Sequence, residues 1–168
     1  RFRTKVGRTM SIITAGTGAT NPITITGNTD GTVVVKTNDT GSGGTTAVTF
    51  DTAQSMNLSG SYTEGVVAIG TVTTSNTLSL ASGTVQTATL TASTACTFTM
   101  PTNTAGKSFV LLLKQAASTG NGTATFTGVK WGTSGAPTIT ATAGKMDILT
   151  FIADGTNWYG SITQGYTP

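Results

Sequence analysis

The 168-residue sequence contains no histidine, a single cysteine and few charged residues, which make up 9% of the chain. Without histidine the chain lacks the usual general base, the base of a serine triad and the commonest zinc ligand. One cysteine excludes an intrachain disulfide, and the place of Cys96 in the alternating run "ACTFTM" predicts a buried structural thiol. This composition argues against redox, zinc and most hydrolytic chemistry, and we expect no cofactor and no metal.

The acidic residues offer little for catalysis, because none pairs with another at the short spacing of a metal loop or a catalytic motif. Asp30, Asp39 and Asp154 stand in turn sequences, where a carboxylate that caps the backbone explains them. A glycosidase pair assembled across strands is a remote alternative, with Asp147 and Asp154 as the residues to test. We therefore predict that the chain is not an enzyme.

Helical patterns and membrane-length apolar runs are also absent from the sequence. Threonine occurs 41 times and glycine 22 times, and apolar residues repeatedly alternate with threonine or serine. Gly- and Asn-rich turns separate the alternating runs, which include "TLSLA", "SFVLLLKQA", "PTITATA" and "MDILTFIA". The pattern predicts an all-β fold, arranged as an antiparallel β-sandwich or a jelly-roll-like structure of two small halves.

Aromatic residues are distributed unevenly, since three of the eleven precede residue 70 and eight lie between Phe98 and Tyr166. The aromatic-rich half can bury enough apolar surface to fold alone, whereas the first half needs a neighbour. We predict a basic N-terminal arm at 1–9, a Thr/Gly-rich β attachment region at 10–74 and a C-terminal β-sandwich module at 75–168. Charge-poor strand edges favour closed self-association, with a homotrimer as the expected oligomer.

The formal charge of +3 comes from the N-terminus, where the basic residues are Arg1, Arg3, Lys5 and Arg8. The rest of the chain is close to neutral and has no basic face, so no nucleic-acid partner is expected. The arm is either a solvated chain end or a clamp on an acidic patch of a partner subunit. Under the second reading these four residues attach the protein to that partner.

Three aromatic or basic residues in the C-terminal part of the chain are candidates for surface recognition. Lys130 next to Trp131 would place a charge beside a stacking face, as a glycan or phosphate site requires. Trp158 and Tyr159 are adjacent, so in a strand they point to opposite faces. We expect Trp158 to face the core and Tyr159 to face outward or a subunit contact, which leaves Tyr159 and Tyr166 as weak recognition candidates.

Residues 123–162, "TATFTGVKWGTSGAPTITATAGKMDILTFIADGTNWYGSI", resemble the C-terminal β-module of many tailed-bacteriophage structural proteins, in which a "GVKWP…P…T…GK.D…F…DG..WYG" pattern recurs. Residues 27–54 are similar to segments of phage fibre proteins. Together the two stretches cover about two-fifths of the chain. One position departs from the pattern, because Gly132 stands where a proline usually follows the tryptophan.

The resemblance implies a non-enzymatic virion component of the tail-fibre, head-fibre or capsid-decoration type, made in the host cytoplasm and located on the particle surface. The short chain has no long repetitive shaft, which favours a trimeric knob bound to the major capsid protein or another virion protein. The alternative is a tail-fibre or tail-tip receptor-binding protein that contacts a host surface glycan, and the remote one is a glycan depolymerase. No membrane partner is expected.

Overall fold

A computed structural model describes residues 33–37, 45–50, 53 and 55–168. The chain divides into two compact units, Arg1–Tyr62 and Thr63–Pro168. All regular structure in the described residues is β-strand, which confirms the predicted all-β class. The basic arm predicted at 1–9 lies outside the described residues.

The described part of the first unit is a small antiparallel sheet of three strands in the order β1-β2-β3. Several of its large apolar side chains are exposed, including those of Phe50 and Met56. The strands are β1 Val33–Thr37, β2 Thr45–Phe50 and β3 Met56–Leu58.

The second unit contains nine strands in two sheets. One sheet has six strands in the order β10-β12-β11-β8-β6-β4, and the other has three strands in the order β5-β7-β9. The strands are β4 Val66–Val72, β5 Ser75–Thr77, β6 Val85–Leu90, β7 Ala95–Thr99, β8 Ser108–Lys114, β9 Thr123–Thr127, β10 Val129–Lys130, β11 Met146–Ala153 and β12 Trp158–Tyr166.

Consecutive strands from β4 to β9 alternate between the two sheets, and within each sheet these strands run parallel. The arrangement is a short solenoid rather than the antiparallel sandwich or jelly roll expected from the sequence. Val66 on β4 pairs with Val85 on β6, and Val85 pairs with Val110 on β8. The number of residues between paired positions differs, so successive coils differ in length. Unequal coils explain why the sequence has no fixed repeat period, and period-two alternation cannot tell a parallel neighbour from a hairpin partner.

The last two long strands close the solenoid as a hairpin. β11 pairs antiparallel with β8, β12 pairs antiparallel with β11, and the short β10 runs parallel to β12 at the edge. The strand β4 pairs with β6 and belongs to the second unit, which begins at Thr63. The sequence-based division into 10–74 and 75–168 places β4 in the preceding region instead.

The inner faces of the two sheets share one core. Phe126 on β9 contacts Phe151 on β11 with ring centroids 5.5 Å apart, and Phe109 on β8 meets Trp158 edge-on at 5.2 Å. Trp158 is 2% exposed, which confirms that it faces inward. Cys96 is buried as predicted, and burial raises the pKa of its thiol.

Two predicted strands are not strands in the structure. "TLSLA" is irregular after Thr77, and "PTITATA" forms a loop. Each nevertheless contributes a buried side chain, from Leu78 and Ile139 respectively. Alternation in these segments therefore marked burial at the corners of the solenoid rather than strand pairing.

Candidate functional site

The outward surface of the six-stranded sheet, called here the outer face, carries the sequence-predicted residues Lys130, Tyr159 and Tyr166. Every exposed large apolar side chain of the second unit lies on this face. They are Val66 (63% exposed), Ile152 (56%), Tyr159 (44%) and Tyr166 (42%).

The strand registers arrange the outer face in rows across the sheet. One row joins Lys130 to Tyr159, Tyr159 to Ile152 and Ile152 to Ser108. Registered partners project from the same side of a sheet, so these four side chains form one line over four strands. The next row runs through Ser161, Thr150, Val110, Val85 and Val66.

A shallow hollow of about 410 Å³ lies over these two rows. Tyr159, Ile152 and Val110 are among the apolar residues that line it. The hydroxyl groups of Thr150 and Ser161, which lie 2.5 Å apart, line it as well. The carboxylate residue Glu64, which precedes β4, lines the opposite end. Glu64 was not singled out by sequence reasoning, because only the fold brings it to the same surface as Tyr159.

The β11–β12 turn fixes the ring of Tyr159. Its hydroxyl donates to Oδ2 of Asp154 at 2.9 Å, and Oδ1 of Asp154 accepts hydrogen bonds from the backbone N–H groups of Thr156 (2.8 Å) and Asn157 (2.7 Å). The hydrogen bond from Asn157 is the largest influence that lowers the pKa of Asp154, followed by those from Thr156 and Tyr159. The predicted turn role of Asp154 is confirmed.

The same contact affects Tyr159. The hydrogen bond to Asp154, followed by the charge of that carboxylate, raises the pKa of the phenol above its ordinary value. Tyr159 is therefore a neutral, oriented ring over the physiological pH range. An oriented side chain loses less conformational entropy when a partner covers it.

Tyr166 lies at the other end of the sheet, beside Met146, whereas Tyr159 lies beside Ile152. At about 3.3 Å per residue the two tyrosines are roughly 20 Å apart along β12. They belong to one face but not to one compact site.

Trp131 does not offer the free stacking surface that the sequence suggested next to Lys130. Its ring packs edge-on against Phe126 at 5.9 Å and Phe151 at 6.0 Å. A Cβ atom at Gly160 would lie 2.6 Å from Cζ3 of that ring, so the missing side chain makes room for the tryptophan. Trp131 is thus a packing residue, while Lys130 is exposed.

Asp147 is fully buried and holds the backbone in place. Its carboxylate accepts hydrogen bonds from the backbone N–H groups of Thr140 (2.7 Å) and Gly165 (3.0 Å). Asp147 lies near the start of β11 and Asp154 just after its end, which separates them by roughly 20 Å or more along the strand. Glycosidase carboxylates stand about 5–10 Å apart, so these two do not have the spacing of such a pair.

Arg1, Arg3, Lys5 and Arg8, predicted to attach the protein to a partner, lie outside the described residues. Within the described ranges, no three His, Cys, Asp or Glu residues are grouped so that they could hold a metal ion. The same part of the chain has no helix that could cross a membrane. Comparison with protein-family models, curated proteins and solved structures gave no match to this chain.

Proposed function

We propose that this chain is a non-enzymatic structural component of a tailed-phage virion. The role we favour is that of a capsid-surface decoration or head-fibre protein, which binds the head shell as an oligomer. The observation that carries the proposal is the outer face, a sheet surface on which exposed apolar side chains such as Val66, Ile152 and Tyr159 lie among hydroxyl groups, an arrangement that suits assembly better than catalysis. Its exposed side chains form rows across the sheet instead of converging on a reacting centre.

The residues behind the resemblance to phage β-modules support the proposal through their roles in the fold. Trp131 packs over Gly160, Trp158 donates from Nε1 to the carbonyl of Pro101 at 2.8 Å, and both Asp147 and Asp154 accept backbone hydrogen bonds. Such residues define a folding module and leave its outer surface free to vary with the partner.

The partner proposed for the basic arm is an acidic patch on the major capsid protein or another virion protein. Arg1, Arg3, Lys5 and Arg8 would supply long-range attraction to such a patch, which salt weakens. Binding of the purified chain to empty heads should therefore fall as ionic strength rises. Substitution of all four residues by glutamine should remove that salt dependence.

Imaging of intact particles with the chain labelled tests the proposal. We expect copies at symmetry axes of the head. Labelling confined to the tail would exclude the head-fibre role and support the alternative, a tail-fibre or tail-tip receptor-binding protein. Absence of the chain from purified particles would contradict both roles.

The alternative has one observation in its favour, which is the exposed cation of Lys130 in register with the exposed ring of Tyr159. A charge beside an oriented ring can bind an anionic glycan of the host surface. If so, purified protein should adsorb to host cells and block infection. A Lys130→Gln/Tyr159→Ala variant should lose both effects, and retention of either would contradict this site.

A further inference from the structure

We infer that the outer face of the six-stranded sheet is the surface through which copies of this chain associate, about a rotation axis parallel to its strands. The inference adds to the proposed function the surface and the symmetry of the oligomer, and it rests only on the self-association part of that proposal. It does not depend on which part of a particle the protein occupies.

The central strands β8 and β11 carry large apolar side chains on both sides, with Ser108, Thr150 and Lys114 as the polar residues of their outer side. In β8, Phe109, Leu111 and Leu113 fill the core, while Val110 and Leu112 point to the outer face. The strand β11 repeats the pattern, with Leu149 and Phe151 inside and Met146, Ile148 and Ile152 outside. Strands with continuous apolar sequences are typical of sheets that are covered on both faces, and here only the inner face has a cover within the unit.

The other sheet of the same unit provides an internal control. Its outward side chains are hydroxyls at every position except Ala95, and we call this surface the threonine face. They are Ser75, Thr77, Thr97, Thr99, Thr123, Thr125 and Thr127. The exposed side of this sheet thus carries almost only hydroxyl groups, whereas on the outer face threonines such as Thr87 and Thr150 alternate with large apolar side chains, which are specific to that face.

The charges on the outer face identify the occupant as a second copy. Lys130 lies on β10 at one edge of the sheet, and Glu64 lies just before β4 at the opposite edge, next to the hollow that contains Tyr159 and Ile152. Five strand spacings separate the two edges, or roughly 24 Å at about 4.8 Å per spacing. Glu64 reaches inward from its edge to the hollow, but the strands β8, β11 and β12 still lie between it and Lys130, which is beyond the range of an ion pair within one copy.

Rotational symmetry between copies can bring the two charged residues together. A rotation axis parallel to the strands keeps each row at its own height and brings the β10 edge of one copy to the β4 edge of the next. Lys130 of each copy then meets Glu64 of its neighbour, whether two sheets stack face to face or three sheets enclose the axis. The apolar side chains of Ile152, Val110 and Leu112 fill the space around the axis.

The charged side chain that the central strand β8 places on the outer face is compatible with this arrangement. Lys114 is the last residue of β8, so it lies at the end of the sheet rather than in its middle. A lysine stem can cover apolar surface while its ammonium group reaches water beyond the sheet end. The middle rows, through Val110 and Leu112, contain no charged side chain.

The first experiment measures the mass of the full chain in solution by sedimentation and native mass spectrometry. We expect a cyclic oligomer, with a trimer as the size predicted from the sequence. Ile152→Lys should raise its dissociation constant about thirtyfold or more, as for a central interface residue. The matched control, Ala95→Lys, places the same charge on an exposed strand position of the threonine face and should leave the oligomer intact.

The second experiment tests the geometry on the unaltered sequence. A zero-length carbodiimide joins a carboxylate to an amine only when they are in contact. In a mixture of ¹⁵N-labelled and unlabelled chains we expect a Glu64–Lys130 cross-linked peptide that contains one labelled and one unlabelled half. Lys130→Glu should abolish the product and weaken the oligomer, and the exchanged variant Glu64→Lys/Lys130→Glu should restore both.

Three results would overturn the inference: a full chain that remains monomeric, an oligomer that Ile152→Lys does not weaken, or a Glu64–Lys130 product found only within single chains. The second result would leave the chain an oligomer through another surface. The first result would also contradict the self-association part of the proposed function, whereas the presence of the chain in the virion is tested separately by the labelling of particles.

Discussion

The two sheets of the second unit share a core but have opposite outer surfaces. On the inside both present large apolar side chains, such as Phe98 from the three-stranded sheet and Phe151 from the six-stranded sheet. On the outside the three-stranded sheet presents hydroxyl groups and the six-stranded sheet presents Val66, Ile152 and Tyr159. The inner faces form the shared core, whereas we infer that the outer faces differ because one is covered by a second copy and the other by water.

The contrast has a simple physical basis. A threonine on an exposed strand keeps the β-branched shape that strands favour and presents a hydroxyl to water. The oxygen atoms of Thr97 and Thr125 are 3.2 Å apart across the threonine face, so the hydroxyls also bond to one another. Isoleucine or valine at such a position leaves apolar surface exposed to water. Association buries that surface, and the burial stabilises the oligomer by about 25 cal/mol per Å².

The largest effect should come from the inner side of the threonine-bearing sheet. Phe98→Ala removes a ring with no exposed area that stacks on Phe126 at 5.1 Å, so we expect the free energy of unfolding to fall by about 3–5 kcal/mol. The adjacent variant Thr99→Ala alters the outer side of the same strand and should cost less than about 1 kcal/mol. Urea unfolding of both variants measures the difference, and equal losses would contradict a core restricted to one side.

The next effect should come from Gly160, on the strand that carries Tyr159. Gly160→Ala forces a methyl group against the ring of Trp131 and the Cγ1 atom of Val129, for which we expect a loss of about 1–3 kcal/mol. Gly132→Ala is the matched control, because a Cβ atom there meets nothing within 4 Å. Thermal unfolding should separate the two variants, and equal melting temperatures would show that Trp131 does not occupy this position.

A smaller, pH-dependent effect should come from the turn that orients Tyr159. Because the pKa of Asp154 is lowered in the folded chain, its contribution to stability is present above the pKa of the unfolded chain, near pH 4. That contribution is lost as the pH falls through the folded value. Asp154→Asn should flatten the acid side of the stability profile measured by urea unfolding between pH 2 and 6, and an unchanged profile would contradict these hydrogen bonds.

At alkaline pH the contribution of Tyr159 to stability depends on pH in the opposite direction to that of Asp154. The raised pKa of Tyr159 means that its contribution is present below about pH 10 and is lost as the pH rises through the folded value. Ultraviolet titration should show a late phenolate transition that disappears in Tyr159→Phe and moves to lower pH in Asp154→Asn. A transition that Asp154→Asn does not move would exclude the carboxylate as its cause.

Local features of the fold could be predicted from the sequence where the alternation of side chains along one strand determines them. The alternation in "MDILTFIA" predicts β11, and adjacent Trp158 and Tyr159 had to point to opposite faces. The pairing of strands could not be predicted, because the alternation that places Leu111 inside a sheet is the same for parallel and antiparallel neighbours. Leu78 and Ile139 were assigned to strands for a related reason, since burial in a corner produces the same alternation.

The candidate site was predictable to a similar extent. Tyr159 could be assigned to an outer surface from its neighbour, but its partner in the row, Ile152, required the register of β11 and β12. Glu64 is far from Lys130 in the sequence, and only the strand order places them at opposite edges of one sheet. The signal available in advance was the apolar sequence of β8 and β11 on both sides, which indicates a second covering layer.

The smallest change in stability is expected for a substitution on the threonine face. This substitution tests the contrast between the two outer surfaces most directly. Thr97→Val keeps the shape of the side chain and removes only the hydroxyl that bonds to Thr125 in an exposed setting, so we expect a change within about 0.5 kcal/mol. If water is the neighbour of this face, the oligomer measured by sedimentation should also be unchanged. A partner bound through the hydroxyls would instead make Thr97→Val weaken assembly, and the two outer faces would then both be interfaces.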